Sequence, residues 1–122
     1  MGDKEKVKID FITHDGQNDE YVMYLVEEGP WNRKTLADRM RSIQARVYKA
    51  VDAAVDGHLA RAYPESRGRK LRIQVDLHGE PPNDVEALVL RLAKHITQAE
   101  EYVRDIEASD HVVSLRIVTK RL

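Results

Sequence analysis

Asp76 and His78 stand two residues apart in the run Leu71 to His78, Leu-Arg-Ile-Gln-Val-Asp-Leu-His. On one side of an extended chain, a carboxylate and an imidazole at this spacing can orient a proton transfer or supply two metal ligands. A metal centre needs three or four converging ligands. The other histidines, His14, His58, His95 and His111, show no ligand spacing among them. The pair therefore reads first as solvated strand residues, and second as polar contacts of a small-molecule cleft that Tyr24 or His14 would help to line.

Three other groups invite chemistry and lose it on inspection. Arg67, Arg69 and Lys70 surround Gly68 and could hold an anion, but the segment lacks the Lys-Ser ending of a phosphate loop and leads into a strand. Glu27 and Glu28 adjoin Trp31, as carboxylates do in glycosidases, yet neighbouring strand residues point to opposite faces and cannot flank one bond. Ser42 and Ser66 sit in helix and turn contexts, and no Gly-x-Ser-x-Gly elbow is present. With no cysteine in 122 residues, disulfides, thiolate metal sites and cysteine nucleophiles are excluded. No catalytic residue, cofactor or metal site is assigned.

The elements that position these residues are legible from periodicity. Leu71 to His78 alternates aliphatic and polar residues without a break, the pattern of a strand with one dry and one wet face. Val7 to His14 and Glu20 to Glu27 flank the turn formers Asp15 to Asp19 as a hairpin. Val7, Ile9 and Phe11 share a face of the first strand. The second is apolar on both faces, Tyr21, Met23 and Leu25 alternating with Val22, Tyr24 and Val26, and should be covered on both.

A helix begins near Asn32, its N-cap, with Trp31 and Leu36 placed as a hydrophobic staple. It carries Leu36, Met40, Ile43, Val47, Ala50, Val51 and Ala54 at helical spacing, and Gly57 either ends it or lies in a loosened last turn. Glu65 to Gly68 reads as a turn. After Gly79 and Pro81-Pro82, Asn83 and Glu86 resemble a capping box for a second helix bearing Val85, Leu88, Val89, Leu92, Ile96, Ala99, Val103 and Ile106. A last strand, Val112 to Thr119, sets Val113, Leu115 and Ile117 on one face and Ser114 and Arg116 on the other.

The order is ββαβαβ: an α+β domain with a four-stranded mixed sheet and two long helices on one face, a single domain over residues 1–122 with 1–6 as a flexible N-terminal tail. Right-handed crossovers allow strand order 2-1-3-4 or 1-2-3-4. Lys8, Asp10, Tyr24, Arg72, Gln74, Asp76, Ser114 and Arg116 could then share the open face. A helix of about 23 residues spans roughly 35 Å and a strand of about eight roughly 26 Å. The helices should overhang, leaving Tyr102, Val103 and Ile106 to seek another surface, for which a homodimer is a natural solution and a bent helix or the C-terminal segment an alternative cover.

The formal net charge is −1, with acids and bases interleaved, so neither nucleic acid nor anionic lipid is an expected partner. No run reaches the length of a membrane span, and no signal-peptide core follows Met1. These features fit a cytoplasmic protein.

Ile9-Asp10-Phe11-Ile12, then Val22-Met23-Tyr24-Leu25-Val26-Glu27-Glu28-Gly29-Pro30-Trp31, and later Tyr63-Pro64-Glu65 leading into Leu71-Arg72-Ile73, together resemble a family of small bacterial proteins of unassigned function, over roughly residues 7 to 78. The resemblance implies a bacterial cytosolic protein; it carries no activity, cofactor or catalytic residue. The sequence thus reads as a non-catalytic protein-interaction module forming a homodimer, with Tyr24, Asp76, His78, Arg116, Tyr102 and Ile106 as candidate ligand or interface residues. The alternative is a small-molecule binding protein or enzyme with a polar cleft near Asp76 and His78.

Overall fold

The computed structural model describes residues 11–122, so the tail expected at 1–6 and the strand positions 7–10, including Val7, Lys8, Ile9 and Asp10, lie outside the described residues. Strands β1 (Phe11–Asp15), β2 (Glu20–Glu27), β3 (Arg69–Leu77) and β4 (Val112–Arg121) form one sheet in the order β1-β2-β3-β4. β1 runs antiparallel to β2, while β2, β3 and β4 are mutually parallel. Helices α1 (Leu36–Val55) and α2 (His58–Ala62) precede β3; α3 (Asn83–Gln98) and α4 (Glu100–Ala108) precede β4. Of the two orders open to the sequence, the structure takes the one that puts β2 inside the sheet. Its apolar residues on both faces explain why: Val22 and Met23, on opposite faces, are each fully buried.

One core lies between the sheet and the helices. Met23, Leu25, Leu71, Ile73, Val75, Leu77, Leu115 and Ile117 meet Ile43, Val47, Val51, Val85, Val89 and Ile96. The aliphatic set of β3 is thus the floor on which the helices pack. In β1 the residue on the core is Ile12, opposite Met23, whereas Phe11 lies opposite Tyr24.

The second helix departs from expectation. It is not continuous: Ala99 adopts an extended conformation (φ −66°, ψ 129°) and divides it into α3 and α4. The break turns α4 back onto the domain. Tyr102 and Ile106 are only partly exposed and pack against the core, with the Tyr102 ring 6.0 Å from Tyr48 and 5.8 Å from His95. The apolar surplus inferred from helix length is absorbed within the chain.

Local signals were placed with mixed success. α1 starts later than the expected N-cap at Asn32, with Thr35 in the N-cap position; Asn32 instead organises the turn before it, its Oδ1 accepting the N–H groups of Lys34 and Thr35, both at 3.1 Å, and its carbonyl accepting that of Leu36 at 2.9 Å. Gly57 does end α1, at φ 95° in the left-handed region. The capping box at Asn83 does not form. Asn83 is already helical, and its Oδ1 accepts a hydrogen bond from Arg121 at 3.4 Å, with Glu86 3.9 Å from the same guanidinium. In β4 a bulge skips Val113 between Arg69–Val112 and Lys70–Ser114, so Val112 enters the core and Val113 is 65% exposed, the reverse of the alternation read from sequence.

Candidate functional site

The face of the sheet opposite the helices gathers the polar residues, and their placement follows from register. Val22, Arg72 and Arg116 form one row across β2, β3 and β4; Tyr24, Gln74 and Val118 form the next; Val26, Asp76 and Lys120 the third. Tyr24, Asp76 and Arg116 therefore share this face as expected. Neighbouring strands are about 4.8 Å apart, which is within the reach of an arginine over two of them.

Both arginines use that reach. Arg72 Nη1 on β3 donates to Glu20 on β2 at 2.7 Å and to Asp15 on β1 at 3.2 Å. To arrive at Asp15 its stem must cross β2 beside Val22, its register partner, and Val22 is accordingly fully buried. Arg116 on β4 crosses β3 to hold Glu20 side-on, Nη2 to Oε1 at 2.5 Å and Nε to Oε2 at 3.1 Å. The result is a neutral lattice of two carboxylates and two guanidiniums laid over the strands. Hydrogen bonding from Arg116 holds the Glu20 carboxyl below the ordinary glutamate range despite its burial, with Arg72 assisting. Asp15 is lowered chiefly by the Asn18 side chain, which bonds its Oδ2 at 2.8 Å. Asp19, lowered by His14 and then Arg69, ties the same turn to β3 through Arg69 at 2.6 Å.

The reading of β3 as half wet is corrected by burial. Gln74 and Asp76 are 5% and 6% exposed, and Gln74 Nε2 donates to Asp76 Oδ1 at 2.8 Å. β3 is an interior strand, so Tyr24 and Val26 on β2 and Val118 and Lys120 on β4 stand beside these two residues. His78 lies one residue beyond the end of β3, and its backbone ties the strand ends together. The N–H donates to the Glu27 carbonyl at 2.9 Å, and the carbonyl accepts Trp31 Nε1 at 2.5 Å.

Two open depressions lie near these groups. One, of about 370 Å³, is bordered by Arg72, Gln74, Arg116 and Lys120. The other, of about 330 Å³, lies at the end of β2, where buried Glu27 pairs with Arg46 from α1 while Glu28 is exposed. Both glutamates line this depression. Neither depression takes in Asp76 or His78.

Sequence reasoning missed Asp15 and Glu20, which anchor the lattice. Their signal lay in the register between β2 and β3, which joins residues some fifty positions apart. It missed one more feature, the outer side of β4. Among the described residues this ten-residue strand pairs with β3 alone, and Val113 and Leu122 at its two ends are 65% and 62% exposed. Among the described residues, no helix is long and apolar enough to cross a membrane, and no three His, Asp or Glu residues gather as a metal site. No protein-family model, curated protein or solved structure matches the chain.

Proposed function

We propose that this chain is a non-catalytic protein-interaction module whose partner docks along the outer side of β4. The observation that carries the reading is the contrast between the two polar resources of the sheet. On its helix-free face Asp15, Glu20, Arg72 and Arg116 are committed to one another, whereas β4 ends the sheet with its outer side unpaired among the described residues. An edge strand is a template for further pairing. The homodimer suggested by sequence pattern loses its two supports, since Tyr102 and Ile106 pack inward and β2 is interior. The cytoplasmic, bacterial setting is part of the same proposal and rests on the absence of cysteine and on the resemblance of residues 7 to 78.

Photo-crosslinking amino acids placed at Val113 and Lys120, and at Arg41 on α1 as a control, test this in cells. A discrete conjugate from the β4 positions alone is the expected result. Equal conjugation from Arg41, or none from β4, would overturn it.

A further inference from the structure

We propose that β4 is completed by an acidic, extended segment of an unlike partner protein, added as a further strand; this rests on the docking of a partner at β4 and specifies its chemistry. The backbone defines the docking groups. Leu122 N–H points inward, donating to the Leu77 carbonyl at 2.8 Å. In a parallel pair, successive residues turn their N–H and C=O groups alternately toward and away from the neighbour. Leu115, Ile117, Thr119 and Arg121 therefore present theirs outward, a row able to bind a strand by main-chain hydrogen bonds.

Side chains along the same strand select the occupant. Val112 to Arg121 contains Arg116, Lys120 and Arg121 and no Asp or Glu, in a chain whose overall charge is −1. Among the described residues exposed Lys120 makes no ion pair, and neither does exposed Lys70, on the same face of β3. Arg116 keeps 51% of its side chain exposed even while bonded to Glu20. On the other face Leu115 and Ile117 adjoin the core. A strand seated here meets cations on one face and aliphatic groups on the other, so its residues should alternate acidic and apolar.

A second copy fits poorly. The two-fold antiparallel pairing that matches all four of these outward residues, Leu115 with Arg121 and Ile117 with Thr119, is centred on Val118. It sets Arg116 of each copy opposite Lys120 of the other, and like charges directly opposite are destabilising.

The full-length chain is titrated into a fluorescent, capped peptide of about ten residues alternating Glu and Val, with a Lys and Val peptide as control, and binding is read by anisotropy. Saturable binding of the acidic peptide is expected, weakened about tenfold or more by Lys120→Glu. Thr119→Pro should weaken it too, because that proline removes an outward N–H and leaves the inner ladder intact. Circular dichroism establishes that each variant is folded. Equal binding of both peptides, indifference to Lys120→Glu, or absence of binding overturns the acidic partner. If crosslinking at β4 nonetheless yields a conjugate, docking at β4 stands and only its chemistry fails; a conjugate of twice the chain's mass would identify a second copy and also overturn the present proposal.

Discussion

Arg72 and Asp15 lie on strands that do not touch, yet the guanidinium of one bonds the carboxylate of the other across β2 at 3.2 Å. That span explains why a sheet with helices on one side only buries Val22 on the other. The polar residues that looked available for chemistry are in large part the covering of the sheet.

Removing Arg72 should expose the cost of that arrangement. Arg72→Leu leaves buried Glu20 with Arg116 as its sole ion-pair partner and is expected to lose about 2–4 kcal/mol in urea unfolding, whereas Arg72→Leu combined with Glu20→Leu should cost about 1 kcal/mol less than the single change, or recover more. A double variant worse than the sum of its parts would contradict the lattice.

Stability should fall when acid reaches the lattice. Glu20, Asp15 and Asp19 are held below their ordinary values in the folded state, so the unfolded chain binds more protons as pH drops through 4.5 and 3.8; their contribution is present above those values and lost below them. Asp52 has the opposite sign. Partial desolvation, reinforced by Asp56 and Asp105, raises it, so the fold gains slightly as pH falls through its raised folded-state value. Urea midpoints measured from pH 7 to pH 3 should therefore decline mainly at the acidic end, and Asp52→Asn should remove the shallow gain that precedes the decline.

Gly57 is held by two constraints at once. Its φ of 95° disfavours any side chain, and a Cβ there would lie 2.8 Å from the His111 ring. Gly57→Ala should cost about 1–3 kcal/mol. Combining it with His111→Ala should show a favourable coupling of about 1 kcal/mol in a double-mutant cycle, since the steric part disappears and the backbone part remains.

Trp31 links the segments that follow β2 and β3 through its hydrogen bond to the His78 carbonyl. Trp31→Phe keeps most of the ring and removes the donor, so thermal unfolding should report a loss of about 1–2 kcal/mol. A neutral substitution would mean that packing alone seats the ring.

Much of the architecture was legible because it is written in local periodicity: the alternation of Leu71 to Leu77, the stripe from Ile43 to Ala54, the stop at Gly57. What escaped depends on partners distant in sequence. The break at Ala99 has no glycine or proline to announce it, and the apolar stripe continues on both sides; its reason is the docking of Tyr102 between Tyr48 and His95. The bulge at Val113 exchanges two adjacent valines that composition cannot tell apart. For the candidate site, Tyr24, Asp76 and Arg116 were assigned to the correct face, but the burial of Asp76 depends on β3 lying between β2 and β4, with Val26 and Lys120 at its sides. His78 fell one residue past the strand, where its backbone bonds Glu27 and Trp31.

Amide hydrogen exchange along β4, with and without the acidic peptide, bears most directly on the proposed docking edge. In the free protein Arg116, Val118 and Lys120 should be protected by β3, while Leu115, Ile117 and Thr119 exchange freely; the peptide should slow the second set and leave the first unchanged. Equal protection of both sets in the free protein, or slowing confined to residues elsewhere in the fold, would contradict an open β4 edge that receives a partner strand.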